Sequence, residues 1–279
     1  MSKRFAALGL AVFVGCATQP ATEVAIEPAP ALQVGCQFDV VEQSAVAAAA
    51  GQYRRVQFTY LEGEATAPKR FTVDVLTFLP GTVRAELLDQ PDLQQYETVP
   101  EAAQTRGAIA AINGGYYGEA FEPIGLYLIN GQQRQGISRE SSLLTGVLSI
   151  DTAGQIALST RNEFSPRNAV SAFQSGPFLI DPGGALGIYS DNGKLRKRTV
   201  VATASSGETV VFTTSSVSLY TLAKCLHTQA TAIGVTNIER ALNLDGGVST
   251  GMYAALPSAM HNKTEEVSVR STLLFYDAE

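Results

Sequence analysis

Ala241-Leu242-Asn243-Leu244-Asp245-Gly246-Gly247-Val248-Ser249-Thr250-Gly251 is the stretch on which the reading of the chain turns. Apolar residues lead into an Asn and an Asp, two glycines follow at once, and two hydroxyls come next. That is the pattern of a buried strand ending in a tight polar loop. A second stretch, Ala108-Ile109-Ala110-Ala111-Ile112-Asn113-Gly114-Gly115-Tyr116-Tyr117, repeats it with aromatics in place of hydroxyls. Asn-Gly and Asp-Gly are ordinary turn formers. A turn, however, needs neither a polar side chain before it nor hydroxyls behind it, so the two loops together point to one pocket closed from two sides.

Outward from these loops, strand signals dominate. Residues 55–60, 70–76 and 83–88 alternate or are β-branched and aromatic, and 199–204 with 209–213 reads as a hairpin around Ser205-Ser206-Gly207. Residues 121–129 read as a strand ending in the Asn130-Gly131 hairpin signal, 145–150 and 155–158 as another hairpin, and 267–275 as the last strand. Helical signals are fewer. Thr98-Val99-Pro100-Glu101 has capping-box spacing with Gly107 as a stop, and Leu219, Leu222, Leu226 and Ile233 recur at helical spacing up to Gly234. The Ala-rich stretch 39–50 is also read as helix. The expected fold is therefore α+β, with mixed β-sheets, a few interspersed helices and a single domain.

The chain has 279 residues, 45% hydrophobic and 16% charged, with net charge −6, so it has ample material for a core. Its acidic balance and the lack of a long basic run exclude a nucleic-acid stripe; the only basic cluster is Lys194-Leu195-Arg196-Lys197-Arg198. Lys3 and Arg4 precede an apolar run from Phe5 to Val14, closed by Gly15-Cys16, which is the layout of a secretory signal too short to span a bilayer. Val14-Gly15-Cys16 resembles the lipobox of bacterial lipoproteins, with Phe13 where Leu is usual. Residues 1–16 are thus expected to be a signal peptide ending at a lipidated Cys16. Residues 17–38, rich in Ala, Pro, Thr and Glu, are expected to be a tether, and 39–279 the functional domain. The implied location is the bacterial cell envelope with a membrane anchor at Cys16. Ala17 fits the outer membrane of a Gram-negative cell, facing the periplasm. In that oxidising compartment Cys36 and Cys225 are expected to pair, the alternative being two buried thiols.

Five motifs in order carry a family resemblance. They are Asn113-Gly114-Gly115-Tyr116-Tyr117, Pro123-Ile124-Gly125-Leu126-Tyr127 with Asn130-Gly131, Gln174-Ser175-Gly176-Pro177-Phe178, Arg198-Thr199-Val200, and Asn243-Leu244-Asp245-Gly246-Gly247-Val248-Ser249. Together they resemble the phosphodiester glycosidase family over residues 55–275. The departures are Tyr for Phe in the aromatic pair and Val248 where relatives have a third Gly.

The resemblance implies an enzyme that cleaves the glycosidic bond of a sugar-1-phosphodiester. Such a reaction builds oxocarbenium character at C1 and charge on the departing phosphate, so electrostatic stabilisation on both sides matters most. Asp245 is then the candidate nucleophile or charge stabiliser, and Glu122 the candidate acid or base. Arg198 is the phosphate clamp, being bidentate and permanently charged. Asn113, Asn243 and the N–H groups of Gly114, Gly115, Gly246 and Gly247 are candidates to cradle substrate oxygens. Ser175, Gly176, Thr199 and Ser249 complete the expected substrate-binding set.

The chain has only two His, His227 and His261, too few for a His-rich zinc site. Asp245 and Asp181 with backbone carbonyls could hold Ca²⁺ or Mg²⁺, although no EF-type spacing is present, so the need for a divalent cation stays open. Two rival readings are a non-catalytic lipoprotein that binds glycans or a partner, and a metal-dependent phosphoesterase.

Overall fold

A computed structural model describes residues 35–46, 51–61 and 67–278. The signal segment, Cys16 and most of the expected tether lie outside the described residues. Among the described residues no helix is long and apolar enough to cross a membrane.

The described residues form eighteen strands and two α-helices, the helices being Val99–Arg106 (α1) and Leu219–Thr228 (α2). The strands make three sheets of eight, five and five, and the ladders among the described residues are all antiparallel. The expectation of an α+β fold with mixed sheets is thereby overturned: the fold is mainly β. Helical spacing at 219–233 extends through α2 only to Thr228; a short 3-10 turn, Ala230–Ile233, then ends at Gly234 in the left-handed region.

The helix expected over 39–50 is corrected for residues 39–45, while 47–50 lie outside the described residues. Cys36–Ala45 is a strand that pairs along Gly51–Tyr60, with Phe38 opposite Phe58 and a register shift between Val40 and Glu42. Ala favours helix, but β-branched Val40 and Val41 on an open sheet edge decide otherwise. The chain thus enters the sheet at Cys36, inside the stretch read as tether. There a disulfide joins Cys36 to Cys225 on α2, with Cα atoms 5.1 Å apart.

The large sheet runs Cys36–Ala45, Gly51–Tyr60, Lys69–Phe78, Thr209–Thr214, Thr199–Ala204, Ile238–Asn243, Phe178–Asp181, Ala185–Leu186. Period-two alternation sends Val201, Val211 and Leu242 to one face and Val200, Phe212 and Ala241 to the other. Both faces are covered, which is why these strands read as nearly unbroken apolar runs. On one face α2 lays down Leu222, Cys225 and Leu226. On the other, Leu76, Phe78 and Leu242 pack with Ile112 and Phe275 of a second sheet and with Tyr127, Leu148 and Phe173 of the third. Helix α1 covers the outside of the sheet that holds Ala110–Asn113, through Val99 and Ala103 against Ala111 and Leu274. Its start is the capping box read from sequence, Thr98 and Glu101 bonding reciprocally, and its end is Gly107 at φ 66°.

The three sheets converge at one place. Ile238–Asn243 of the large sheet, Ala110–Asn113 of another and Ala169–Ser175 of the last each end at the same junction.

Candidate active site

Backbone bonds stitch these strand ends together. The Asp245 N–H donates to Gly114 O at 3.3 Å, and Asn113 Nδ2 donates to Asp245 O at 2.8 Å. Asn113 Oδ1 accepts from Thr199 Oγ1 at 2.7 Å and from the Gly251 N–H at 3.2 Å. Ser175 Oγ donates to Asn243 O at 2.9 Å. Asn113, Ser175 and Thr199 are fully buried, so their polar groups hold the junction and do not face substrate.

The glycine loops behave in the same way. The Gly114 N–H donates to Ser271 O at 2.8 Å, that of Gly246 to Asp245 Oδ1 at 2.8 Å, and that of Gly247 to Lys197 O at 2.8 Å. These donors are taken up inside the protein and do not form the expected anion nest. The glycines answer to space and φ instead. A Cβ on Gly114 would lie 2.3 Å from Ser271 Oγ, and Gly247 has φ 63°. On Gly115 a Cβ would meet the Phe173 ring at 2.7 Å. Gly176 O accepts from Tyr116 OH at 2.8 Å.

Three groups line an open cleft of about 480 Å³: Asp245, Arg198 and Asn243, with Tyr116 beside them. Asp245 lies two residues beyond the end of its strand, Ile238–Asn243, and is half-buried. Burial raises its pKa to about 6, against the lowering effect of bonds from the Ser249 hydroxyl and the Gly246 N–H. The Arg198 guanidinium is fixed by Nε to Val217 O at 3.1 Å and Nη2 to Lys194 O at 2.8 Å. Burial lowers its pKa, and among the described residues no carboxylate forms an ion pair with it. A desolvated cation on a cleft wall, with no carboxylate ion-paired to it, is suited to an anion. Asn243 is 2% exposed, and its Nδ2 donates to Tyr116 OH, Gly176 O and Leu244 O, so it braces the cleft wall from behind.

Sequence reasoning passed over three residues. Tyr116 OH accepts from Asn243 Nδ2 at 2.8 Å while donating to Gly176 O. Burial, then the Asp245 charge, raise its pKa, so it stays a neutral phenol. Lys197 and Glu266 also line the cleft and form an ion pair with each other. Glu122, by contrast, is exposed and does not line it. The other carboxylate lining the cleft beside Asp245 is Glu266. Residue 266 lies far along the chain from every quoted motif, so no local signal marked it. Asp181 lies at the end of Phe178–Asp181, and no group of three or more His, Cys, Asp or Glu is gathered for a metal ion among the described residues.

Truncating Asn113 to Ala should lower the melting temperature by about 10 °C. It strands the Thr199 hydroxyl, the Gly251 N–H and the Asp245 carbonyl in a dry junction, at a combined cost of about 3 kcal/mol or more. A thermal melt shifted by under about 2 °C would show that the tie is not structural.

A family model for phosphodiester glycosidases matches residues 106–276. Among solved structures, the catalytic domain of zebrafish N-acetylglucosamine-1-phosphodiester α-N-acetylglucosaminidase, auto-inhibited by its pro-peptide, is 15% identical with a TM-score of 0.58. That likeness covers 87% of this chain and 88% of that one. A hypothetical protein from Synechocystis is 14% identical with a TM-score of 0.51, over 79% of this chain and 62% of that one. A putative exported protein from Burkholderia pseudomallei K96243 is 12% identical with a TM-score of 0.50, over 93% and 99%. At these identities the likeness is one of fold. No curated protein matches the chain.

Proposed function

The chain belongs to the phosphodiester glycosidase family, and from that premise we propose that it hydrolyses the bond between C1 and the phosphate oxygen of a sugar-1-phosphodiester. The observation that carries this reading is a half-buried carboxylate and an unpaired guanidinium on one cleft, Asp245 and Arg198. In the proposed reaction ionised Asp245 stands at C1 as nucleophile or charge stabiliser, and Arg198 holds the departing phosphate. Asn243 holds Tyr116 and the Gly176 carbonyl in place behind them. Because phosphate leaves readily, the reading requires no strong general acid. Since Asp245 must be ionised, kcat/KM is expected to rise with pH through about 6. A profile flat from pH 4.5 to 8 would remove Asp245 from this role.

The zebrafish enzyme's name gives N-acetylglucosamine-1-phosphodiester as its substrate, so an alkyl diester of that sugar phosphate is the first probe. In H₂¹⁸O the label should enter the released sugar. Label in phosphate would instead mean P–O cleavage and a phosphoesterase. Arg198→Lys, which keeps the charge but not the fork, should lower kcat/KM by about 10²-fold, with a melting temperature lowered by a few degrees for the lost bonds to Val217 O and Lys194 O. Activity within threefold of wild type would sink the clamp role.

The enzyme is further proposed to work in the cell envelope, anchored through Cys16. Supporting this are the leader pattern of residues 1–16 and a disulfide suited to an oxidising compartment. Labelled palmitate should be incorporated by the wild type and not by Cys16→Ser.

A further inference from the structure

Carboxylate and guanidinium account for a sugar and a phosphate, but two apolar side chains at the same cleft have no part in that chemistry. Leu195 and Val248 both line it, and they are 48% and 49% exposed. Single exposed apolar residues carry no meaning. These two, however, meet on one cleft from separate segments, and both are held on bonded backbone. Glu266 N–H donates to Val248 O at 2.7 Å, and the residue after Leu195 bridges to Val217, Arg196 N–H donating to its carbonyl at 3.3 Å.

Charge fits the same picture. Arg196 lines the cleft near enough to Arg198 to oppose its charge; Asp191 acts on Arg198 in the opposite sense, but neither arginine forms an ion pair among the described residues. One phosphodiester anion answers that pair. The group beyond the phosphate then meets Leu195 and Val248, which offer no side-chain hydrogen bond to a second sugar.

We propose that the phosphate carries an alkyl or lipid alcohol on its far side, its first methylenes lying between Leu195 and Val248. This rests on the glycosidase reading. Hydrolysis then breaks C1–O, the water oxygen bonds to C1, and an alkyl phosphate leaves with the C–O electron pair and the balancing proton.

Two assays on the full chain separate this inference from that reading. In calorimetry with methyl, butyl and octyl phosphate below micelle-forming concentrations, Kd should fall with chain length, by at most about fourfold for each sheltered methylene. Between methyl and octyl the drop should be about 10-fold or more. In Leu195→Asn/Val248→Thr the octyl-to-methyl ratio should collapse to within about threefold of unity. The ratio of kcat/KM for the corresponding N-acetylglucosamine 1-phosphodiesters should follow the same course, with a glycerol diester no better than the methyl one. Affinities independent of chain length, no binding of any alkyl phosphate, or a ratio unchanged in the double variant would overturn the inference. Chain-length-dependent binding without turnover of any diester would uphold the apolar subsite and refute the catalytic reading alone.

Discussion

Asp245→Asn is expected to abolish turnover and, at neutral pH, to make the protein more stable. Burial holds the Asp245 pKa at about 6 in the folded chain, against 3.8 in its absence. Below about pH 3.8 both folded and unfolded states carry the proton, and the residue contributes nothing to pH dependence. Between 3.8 and 6 the folded state keeps a proton that the unfolded state has released, so stability falls as pH rises. Above 6 the penalty is complete, at about 3 kcal/mol for a shift of about two units.

Asparagine has the same shape and no charge to desolvate. Its gain should therefore be near zero at pH 4 and up to about 3 kcal/mol at pH 8, or about 6–12 °C in melting temperature. The loss of one accepted hydrogen bond, from Gly246 or Ser249, makes this an upper value. Turnover should drop by at least about 10³-fold. Melts at pH 4 and pH 8 decide the matter: an equal shift at both, or a lower melting temperature at pH 8, would mean that the carboxylate is not strained by its setting.

Loss of the Cys36–Cys225 bridge should have the largest effect on stability. Its cysteines are 189 residues apart in sequence, and a loop of that size restricts the unfolded chain by about 5 kcal/mol in the chain-entropy picture. Cys225→Ser is expected to melt about 10–20 °C lower than the wild type. The damage should be local at first, because the bridge fastens an edge strand to α2. Hydrogen exchange should accelerate over Cys36–Ala45 and Leu219–Thr228 before the central strands respond. A melting temperature within about 3 °C of wild type would show that packing alone holds the edge.

How much of this was legible depended on the range of the interaction. The capping box at Thr98–Glu101 and the hairpin pairing Thr199–Ala204 with Thr209–Thr214 rest on neighbours in sequence, and both are present in the fold. The sheet class and the strand Cys36–Ala45 were not legible. An Ala-rich stretch carries a helical preference, whereas its strand partner lies on another segment. At the site, local grammar marked Asp245 and Arg198 but misread the glycines. Whether an N–H faces a ligand or Ser271 O depends on a strand more than 150 residues away, which spacing does not encode. The same reason hid Glu266: a carboxylate enters a cleft by topology, and Glu122 was chosen only for its nearness to a motif.

The junction where three sheets each contribute one strand end bears on how the protein comes to be active at all. Asn113, Ser175 and Asn243 belong to different sheets and are spread across 131 positions of the chain, from 113 to 243. Loop closure over such spans is slow, so pairing of this kind belongs to the late stages of folding. A folding intermediate with two sheets formed would already hold most of the core and yet have no catalytic cleft. Recovery of activity after dilution from denaturant should accordingly lag behind recovery of β-sheet signal.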